Sequence, residues 1–455
     1  MVNFMILKYI IVVNISQETK LTKQKIKKLS GTIRIIGDKS ISHRALIISS
    51  MSIGKSEINN LLESDDIFST LNILKDLGVK IIKKDKKWVV YGNGSNGFIQ
   101  PKNALDCGNS GTTARLMLGA VCTNPIYCTL IGDKSLSKRP MKRVTAHLEK
   151  IGSRVSLTNN KNLPLTITGS QTCLPLLHKI SKPSAQIKSA IILAALNING
   201  ETKIIEPRQT RDHTELLLKY LKVDYKNQKM SSGGRKLIFN GPYEIKSKNL
   251  FVPGDPSSAA FIIVGALITP NSKIKLIDVL LNKTRIAYLS ILKKMGGKIK
   301  IKKTKIQSGE QLGTITVLAS SLRGINIPAN LSPYLIDEYP ILSVAAARAK
   351  GTTVMKGLDE LRYKESDRIK STVGMLKSFG IKAESIKNDI KIKGSPLKEV
   401  KCYKTVKVYT DHRIALSASI LGLISNNPVK LDDNGKSMST SYPTFKDDLK
   451  KLIIN

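Results

Sequence analysis

The sequence predicts an α+β protein assembled from about six repeated units whose principal helices lie inside the molecule. Three observations carry that expectation. One plan recurs along the chain: an amphipathic helix, a turn, then a lysine-rich alternating strand. The turns fall at Gly78, Gly152, Val223, Gly296 and Gly380, giving intervals of 74, 71, 73 and 84 residues. Helical stretches such as Ser189 to Ala195 and Pro340 to Ala349 are apolar nearly all round, which a surface helix cannot be.

The first copy runs from Asp65 through Leu77-Gly78 into Val79-Lys80-Ile81-Ile82. Later copies pass through Ile151-Gly152, Leu221-Lys222-Val223, Met295-Gly296-Gly297 and Phe379-Gly380, and a helix over Tyr442 to Ile454 would close a sixth. A period this long belongs to none of the common solenoids, so each copy is read as a small α+β unit. Gly37-Asp38-Lys39-Ser40 and Pro253-Gly254-Asp255-Pro256-Ser257-Ser258 read as domain junctions, each a turn with Asp or Ser placed to cap an apolar helix. Residues 37–254 then form one domain with three copies. Residues 1–36 and 255–455 form a discontinuous second domain, with a two-stranded hinge at 36–40 and 252–256.

A chain of 455 residues can bury two cores, and 41% hydrophobic residues argue against disorder. The formal net charge of +40 points to nucleic acid or another anionic partner. Its lysines, however, are spread along the whole chain among many Ile and Asn, all three favoured by AT-rich codons, and small anionic substrates suit the charge equally well. Aromatic residues make up 5% and Trp88 is the sole tryptophan, which counts against a base-stacking platform. Five cysteines without a C-x-x-C pair read as reduced thiols of a cytoplasmic protein, neither disulfides nor a zinc site. The apolar run Met5 to Val13 is broken by Lys8, is too short to span a bilayer and has no small-residue cleavage site after it. It reads as a start-site artefact or a short strand.

Two phosphate-binding patterns fail on context. Gly92-Asn93-Gly94-Ser95-Asn96-Gly97 matches G-x-G-x-x-G after a strand at Lys87 to Tyr91, but Phe98-Ile99-Gln100-Pro101 cannot open the helix a dinucleotide needs. It reads as a hairpin turn. Gly54-Lys55-Ser56 resembles the end of a P-loop, yet Ser49 stands where the first glycine belongs. The five histidines show no metal-ligand spacing.

Other segments repeatedly place hydroxyls, amides and cations at helix starts. They are Lys39-Ser40 with Arg44, Gly108-Asn109-Ser110-Gly111-Thr112 with Arg115, Lys138-Arg139, Ser184-Ala185-Gln186-Ile187-Lys188, and Thr210-Arg211-Asp212-His213. Free N–H groups and partial positive charge at a helix N-terminus attract phosphate or carboxylate, so several anionic groups are expected in one place. Three acidic clusters border strongly apolar segments, where unpaired charge is costly: Asp337-Glu338, Lys364-Glu365-Ser366-Asp367-Arg368 and Asp411-His412-Arg413. The middle one alternates in sign within what reads as one helical turn.

Nine ordered motifs carry a resemblance. They are GDKSISHRA (37–45), GNSGTTARLM (108–117), GDKSLSKRPM (132–141), SAQIKSA (184–190), TRDHTE (210–215), GDPSSAAF (254–261), DEYPILSVAAA (337–347), LRYKESDRIK (361–370) and TDHRIA (410–415). From about Leu29 to the C-terminus the chain resembles the 5-enolpyruvylshikimate-3-phosphate synthase family, in its bacterial-type branch. The resemblance implies a two-domain inside-out α/β barrel of six β-α-β-α-β-β units that closes over its substrates. It implies transfer of the enolpyruvyl group of phosphoenolpyruvate to shikimate 3-phosphate, a step of aromatic amino acid biosynthesis, with no metal or organic cofactor. By motif position, Lys39, Ser40, Arg44, Ser184, Ala185, Gln186, Arg211, Asp337 and Lys364 would contact shikimate 3-phosphate. Lys39, Asn109, Gly111, Thr112, Arg139, Gln186, Arg368 and Arg413 would hold phosphoenolpyruvate, and Asp337, Glu365 and Lys39 would carry the proton chemistry. A cytoplasmic monomer with no nucleic-acid or membrane partner is implied.

Two departures stand out. Ile36 replaces a common proline before the first turn, and Ser439-Thr440-Ser441 occupies the place of a C-terminal lysine that touches phosphoenolpyruvate in some members. The nearest alternative is the sister transferase acting on UDP-N-acetylglucosamine, whose lysine is followed by asparagine where Ser40 follows Lys39 here. An RNA-binding or RNA-end-processing protein is the alternative from another class, and salt-sensitive RNA retention would be its signature.

Overall fold

Six helix pairs recur along the chain in the computed structural model, which describes residues 28–396 and 399–454. Met5 to Val13 lies outside the described residues. The first helix of each pair is Lys39–Ser50, Gly111–Val121, Ala185–Ala195, Pro256–Ile268, Tyr339–Ala347 or His412–Gly422. Nearly every residue of these six is buried, as their lack of a polar face requires. The second helix is Asp65–Asp76, Lys142–Ile151, His213–Tyr220, Ala287–Lys294, Arg368–Ser378 or Phe445–Leu452. Most of these keep a polar face toward solvent, whereas His213–Tyr220 buries His213, Thr214 and Glu215 and exposes only Lys219.

Five sheets flank the helices, each built on one parallel pair followed by two antiparallel pairs, and the five-stranded one adds Ile453–Ile454 antiparallel at its edge. Leu105–Asp106, for example, pairs parallel with Tyr127–Ile131, which pairs antiparallel with Asn162–Thr168, and that strand with Arg154–Thr158. Lysines alternate outward along strands such as Lys298–Gln307, so the sheets face water and the helices form the interior. In the sixth unit the described residues contribute isolated bridges, Val400 to Ser425 and Val406 to Leu431.

The buried side chains gather in two cores. One joins Leu29, Ile33 and Ile35 to residues 259–452, and the other spans residues 41–252 together with Leu280. At each crossing a strand pairs within its own body. Lys28–Arg34 lies parallel to Lys273–Leu280, and Leu250–Phe251 lies parallel to Ile53–Asn59. The two crossings touch: Asp38 N–H donates to Pro253 O and Asp255 N–H to Ile36 O, both at 2.8 Å.

Three local expectations change. The last helix covers only Phe445–Leu452, because Tyr442 precedes Pro443 and is steered out of helical geometry. Ile453 and Ile454 instead pair antiparallel with Leu29 and Lys28. Gly92 and Asn93 end their strand and Gly94 begins a turn that leads to no hairpin partner. Gly92 is required there by packing, since a Cβ would lie 2.1 Å from Ser52 O. Lys364 to Asp367 precede the helix rather than lying in it, and Asp367 caps it by accepting from Ile369 and Lys370 N–H.

Helices Gly111–Val121 and Ala185–Ala195 approach backbone to backbone at Gly119, where a Cβ would sit 2.2 Å from Ala190 O. Gly119→Ala is therefore expected to destabilise by about 1–3 kcal/mol despite its better helix propensity. A lower urea midpoint at unchanged slope would register this.

Candidate functional site

All six buried helices begin at one cavity of about 530 Å³, lined by residues of both bodies. Side-chain caps fix five of these starts. Asp38 accepts from Ile41 N–H, Ser110 from Thr113, Ser184 from Ile187, Asp255 from Ser257 and Asp411 from Arg413. Capping uses only some of the free N–H groups of a first turn, so the converging ends present positive potential to the cavity. Eleven Lys and Arg side chains line it against six Asp and Glu. The excess is positive, and small anions are what such a cavity holds.

The cations are held by specific partners. Lys39 Nζ reaches Asp66 Oδ2 at 2.8 Å. Arg44 is clamped by Thr214 Oγ1 and Ser189 Oγ, both at 2.7 Å, and Ser40 O at 2.8 Å. Burial lowers the Arg44 pKa to about 10, which leaves it charged at neutrality. Arg139 donates to Asn109 through both its backbone and side-chain oxygens. Gln186 bridges the walls, donating to Thr112 Oγ1 at 3.0 Å and accepting from Arg115 at 2.9 Å. Arg211 NH2 meets Asp337 Oδ2 at 2.5 Å, joining the two bodies inside the cavity.

Two carboxylates face this array. Burial alone would push Asp337 up, but Arg413, Arg211, Lys364 and Arg368 outweigh it and hold the carboxyl well below its usual range. Burial likewise opposes ionisation of Glu365, and Arg368, Arg139, His412 and Lys39 together hold it well below the ordinary value. Burial lowers Lys364 and, with Lys39 and Arg413, keeps the His412 ring neutral. Both acids are therefore anionic in the unliganded site.

The depressed Asp337 pKa links to stability with a definite sign. Its folded value lies below its unfolded one, so its contribution is present above the unfolded pKa and is lost as pH falls through the folded value. The stability gap between wild type and Asp337→Asn is expected to be constant from about pH 7 to 5 and to narrow below about pH 4. Urea titrations across that range measure it.

Of the residues singled out from sequence, Lys39, Ser40, Arg44, Asn109, Gly111, Thr112, Arg139, Ser184, Ala185, Gln186, Arg211, Asp337, Lys364, Glu365 and Arg413 line the cavity together. Arg368 does not line it. Its guanidinium, 1% exposed, lies behind the wall with Nε on Asp411 Oδ2 at 2.8 Å, NH1 on Asp337 Oδ1 at 3.3 Å and NH2 on Glu365. Three carboxylates enclose it in this unliganded arrangement. Lys188 also turns away, paired in the core with Glu206 at 3.0 Å and Glu215 at 2.6 Å. Asp66 and Arg143, both in the wall, were missed because acids and bases at helix starts look like surface charge. In place of the C-terminal lysine, Ser441 lines the cavity and Ser439 Oγ donates to Asp65 Oδ2 at 2.6 Å.

Converging helix dipoles, surplus cations and two enclosed carboxylates define an acid–base site for small polyanions. Comparison with known proteins names the class. The family profile described as EPSP synthase (3-phosphoshikimate 1-carboxyvinyltransferase) matches residues 23–449. The 3-phosphoshikimate 1-carboxyvinyltransferase of Rhodopseudomonas palustris (strain BisB5) is 42% identical over 438 residues, covering 96% of this chain and 98% of that protein. That of Bradyrhizobium diazoefficiens is 44% identical over 419 residues, covering 92% and 89%. The solved EPSP synthase of Acinetobacter baumannii superposes with a TM-score of 0.82 at 35% identity, covering 94% of this chain and 97% of that one. The enolpyruvyl transferase NikO of Streptomyces tendae, 16% identical with a TM-score of 0.74 over 94% and 95% of the two chains, shares the fold. The fold is thus the inside-out α/β architecture of enolpyruvyl transferases, and the chain belongs to the EPSP synthase family.

Proposed function

We propose that this chain transfers the enolpyruvyl group of phosphoenolpyruvate to the 5-hydroxyl of shikimate 3-phosphate, as the shikimate-pathway step of aromatic amino acid biosynthesis. The supporting observation is the placement of Asp337 and Glu365, from one body, against Lys39, Arg139 and Arg211, from the other, in a single cavity. Each substrate carries a phosphate and a carboxylate, and only a strongly cationic site offsets their mutual repulsion.

In the first step the 5-hydroxyl oxygen bonds to C2 of phosphoenolpyruvate. Asp337 takes the hydroxyl proton, for which its ionised state suits it. Glu365 delivers a proton to C3, giving a tetrahedral ketal phosphate. In the second step Glu365 removes a proton from C3 while the C2–O bond to phosphate breaks, leaving the enol ether and inorganic phosphate. Glu365 is anionic in the unliganded site. Bound substrates bring negative charge beside it, which raises a carboxyl pKa and lets it carry the proton. Lys39, the helix N-termini and Arg139 neutralise the leaving phosphate. Residues 37–254 and the rest of the described chain act as two domains that close over the substrates. The protein works as a monomer in the cytoplasm. Among the described residues no helix is long and apolar enough to cross a membrane.

The test is phosphate release from phosphoenolpyruvate with and without shikimate 3-phosphate. Release only with both substrates is expected. Folded protein that releases none overturns the reading, and salt-sensitive RNA retention would then favour the RNA-binding alternative.

A further inference from the structure

Where the two chain crossings meet, part of the cavity wall is a buried polar cluster of Arg285, His213, Asp255 and Ser257, to which the steps above assign no part. Arg285 is 3% exposed there. It donates from NH1 to Asp38 Oδ2 at 2.7 Å and from NH2 to Asp255 Oδ1 at 3.2 Å and Ser257 Oγ at 3.1 Å. Asp38 and Asp255 cap the helices by which the chain enters each body, so one guanidinium ties both crossings.

A further contact, Arg285 NH1 to His213 Nε2 at 3.2 Å, decides the state of the ring. A guanidinium has only donors, so Nε2 accepts and the ring proton sits on Nδ1. Burial lowers the His213 pKa to about 3, in keeping with a neutral ring. Nδ1 then donates to Glu310 Oε1 at 2.6 Å. Asn282 Nδ2 donates to Glu310 Oε2 at 3.1 Å and to Asp212 Oδ1 at 2.8 Å. Asn282, Arg285 and Glu310 come from one body, Asp212 and His213 from the other. The cluster is a seam.

The residue next in line, Arg211, crosses the same divide to reach Asp337. Three consecutive side chains, 211 to 213, thus bond to the opposite body. We propose that Arg285, acting through His213 and Glu310, is a positioning residue that sets the register of the two bodies and so brings Arg211 onto Asp337. A planar fork held by several acceptors defines an orientation, which the single rotating ammonium of a lysine does not. The inference rests on the role given to Asp337 above.

Phosphate release is measured per folded molecule at pH 8, above the value of about 7 to which burial lifts Glu310, so that both its oxygens accept. Arg285→Lys is expected to lower kcat on the order of 10-fold or more, because small misplacements of reacting groups are costly. Calorimetric affinity for shikimate 3-phosphate alone, which binds mainly to one body, is expected to move less than about 3-fold, since that body is intact. His213→Asn keeps a donor for Glu310 but presents nothing to Arg285, and a smaller loss of the same kind is expected. It also carries the comparison if Arg285→Lys does not fold. Combined with Arg211→Lys, Arg285→Lys is expected to cost less than the product of the single losses. An unchanged kcat in both seam variants, or losses that multiply, overturns the positioning role. Full activity in Arg285→Lys alongside a slow Asp337→Asn removes this inference alone, whereas an inactive wild type removes the enzymatic reading beneath it.

Discussion

Glu365→Gln is expected to lower kcat for phosphate release by about 10²–10⁴-fold, the usual contribution of a positioned acid–base group. Glutamine keeps the shape of the side chain and can still accept a hydrogen bond from Arg368, so the cavity wall is preserved. It cannot take a proton from C3 or return one. Both halves of the addition–elimination need that transfer, and the nearby Lys39 is tied to Asp66. Binding draws mainly on the cations and helix N-termini, so KM for each substrate should change far less than kcat. A raised KM with kcat preserved would make Glu365 a binding group and move the C3 proton to another residue.

Arg368→Leu is expected to be the most damaging substitution for folding, costing about 3–5 kcal/mol, the range for a buried pair stripped of one partner. Its guanidinium is enclosed by Asp337, Glu365 and Asp411. Asp411 is wholly buried and also caps the helix His412–Gly422 through Arg413 N–H at 3.0 Å. Leucine would leave these carboxylates to repel one another at the start of that helix. Arg368→Lys should fold better but reach fewer of the three. Adding Asp411→Asn to Arg368→Leu removes the most deeply buried orphan charge, and part of the lost urea midpoint should return. No recovery would mean that the loss comes from packing rather than charge.

The motifs were legible because each is local. A capping Asp or Ser, a small residue and a cation fall within one turn of a buried helix, so their meaning depends on neighbours in sequence. The repeat was legible for the same reason, since each unit repeats one hydrophobic period and one turn. The surroundings of Arg368 were only partly legible, because its local neighbour Glu365 suggested a simple i,i+3 pair, while Asp337 and Asp411 arrive from 31 and 43 residues away. Lys188 looked like part of an anion nest until the fold set Glu206 and Glu215 against it.

By itself, then, the sequence determined the repeating α+β plan, the burial of the six apolar helices and the polar character of their starts, because hydrophobic period and capping act within a few residues. Only the tertiary structure decided that all six starts face one cavity, that Arg368 stands behind its acids, and that Arg285 joins Asp38 to Asp255 across 217 residues of chain, with Asp38 itself 247 residues from Arg285. Burial makes unpaired charge expensive wherever it occurs, but which partners satisfy it depends on how distant segments pack, and no local pattern records that.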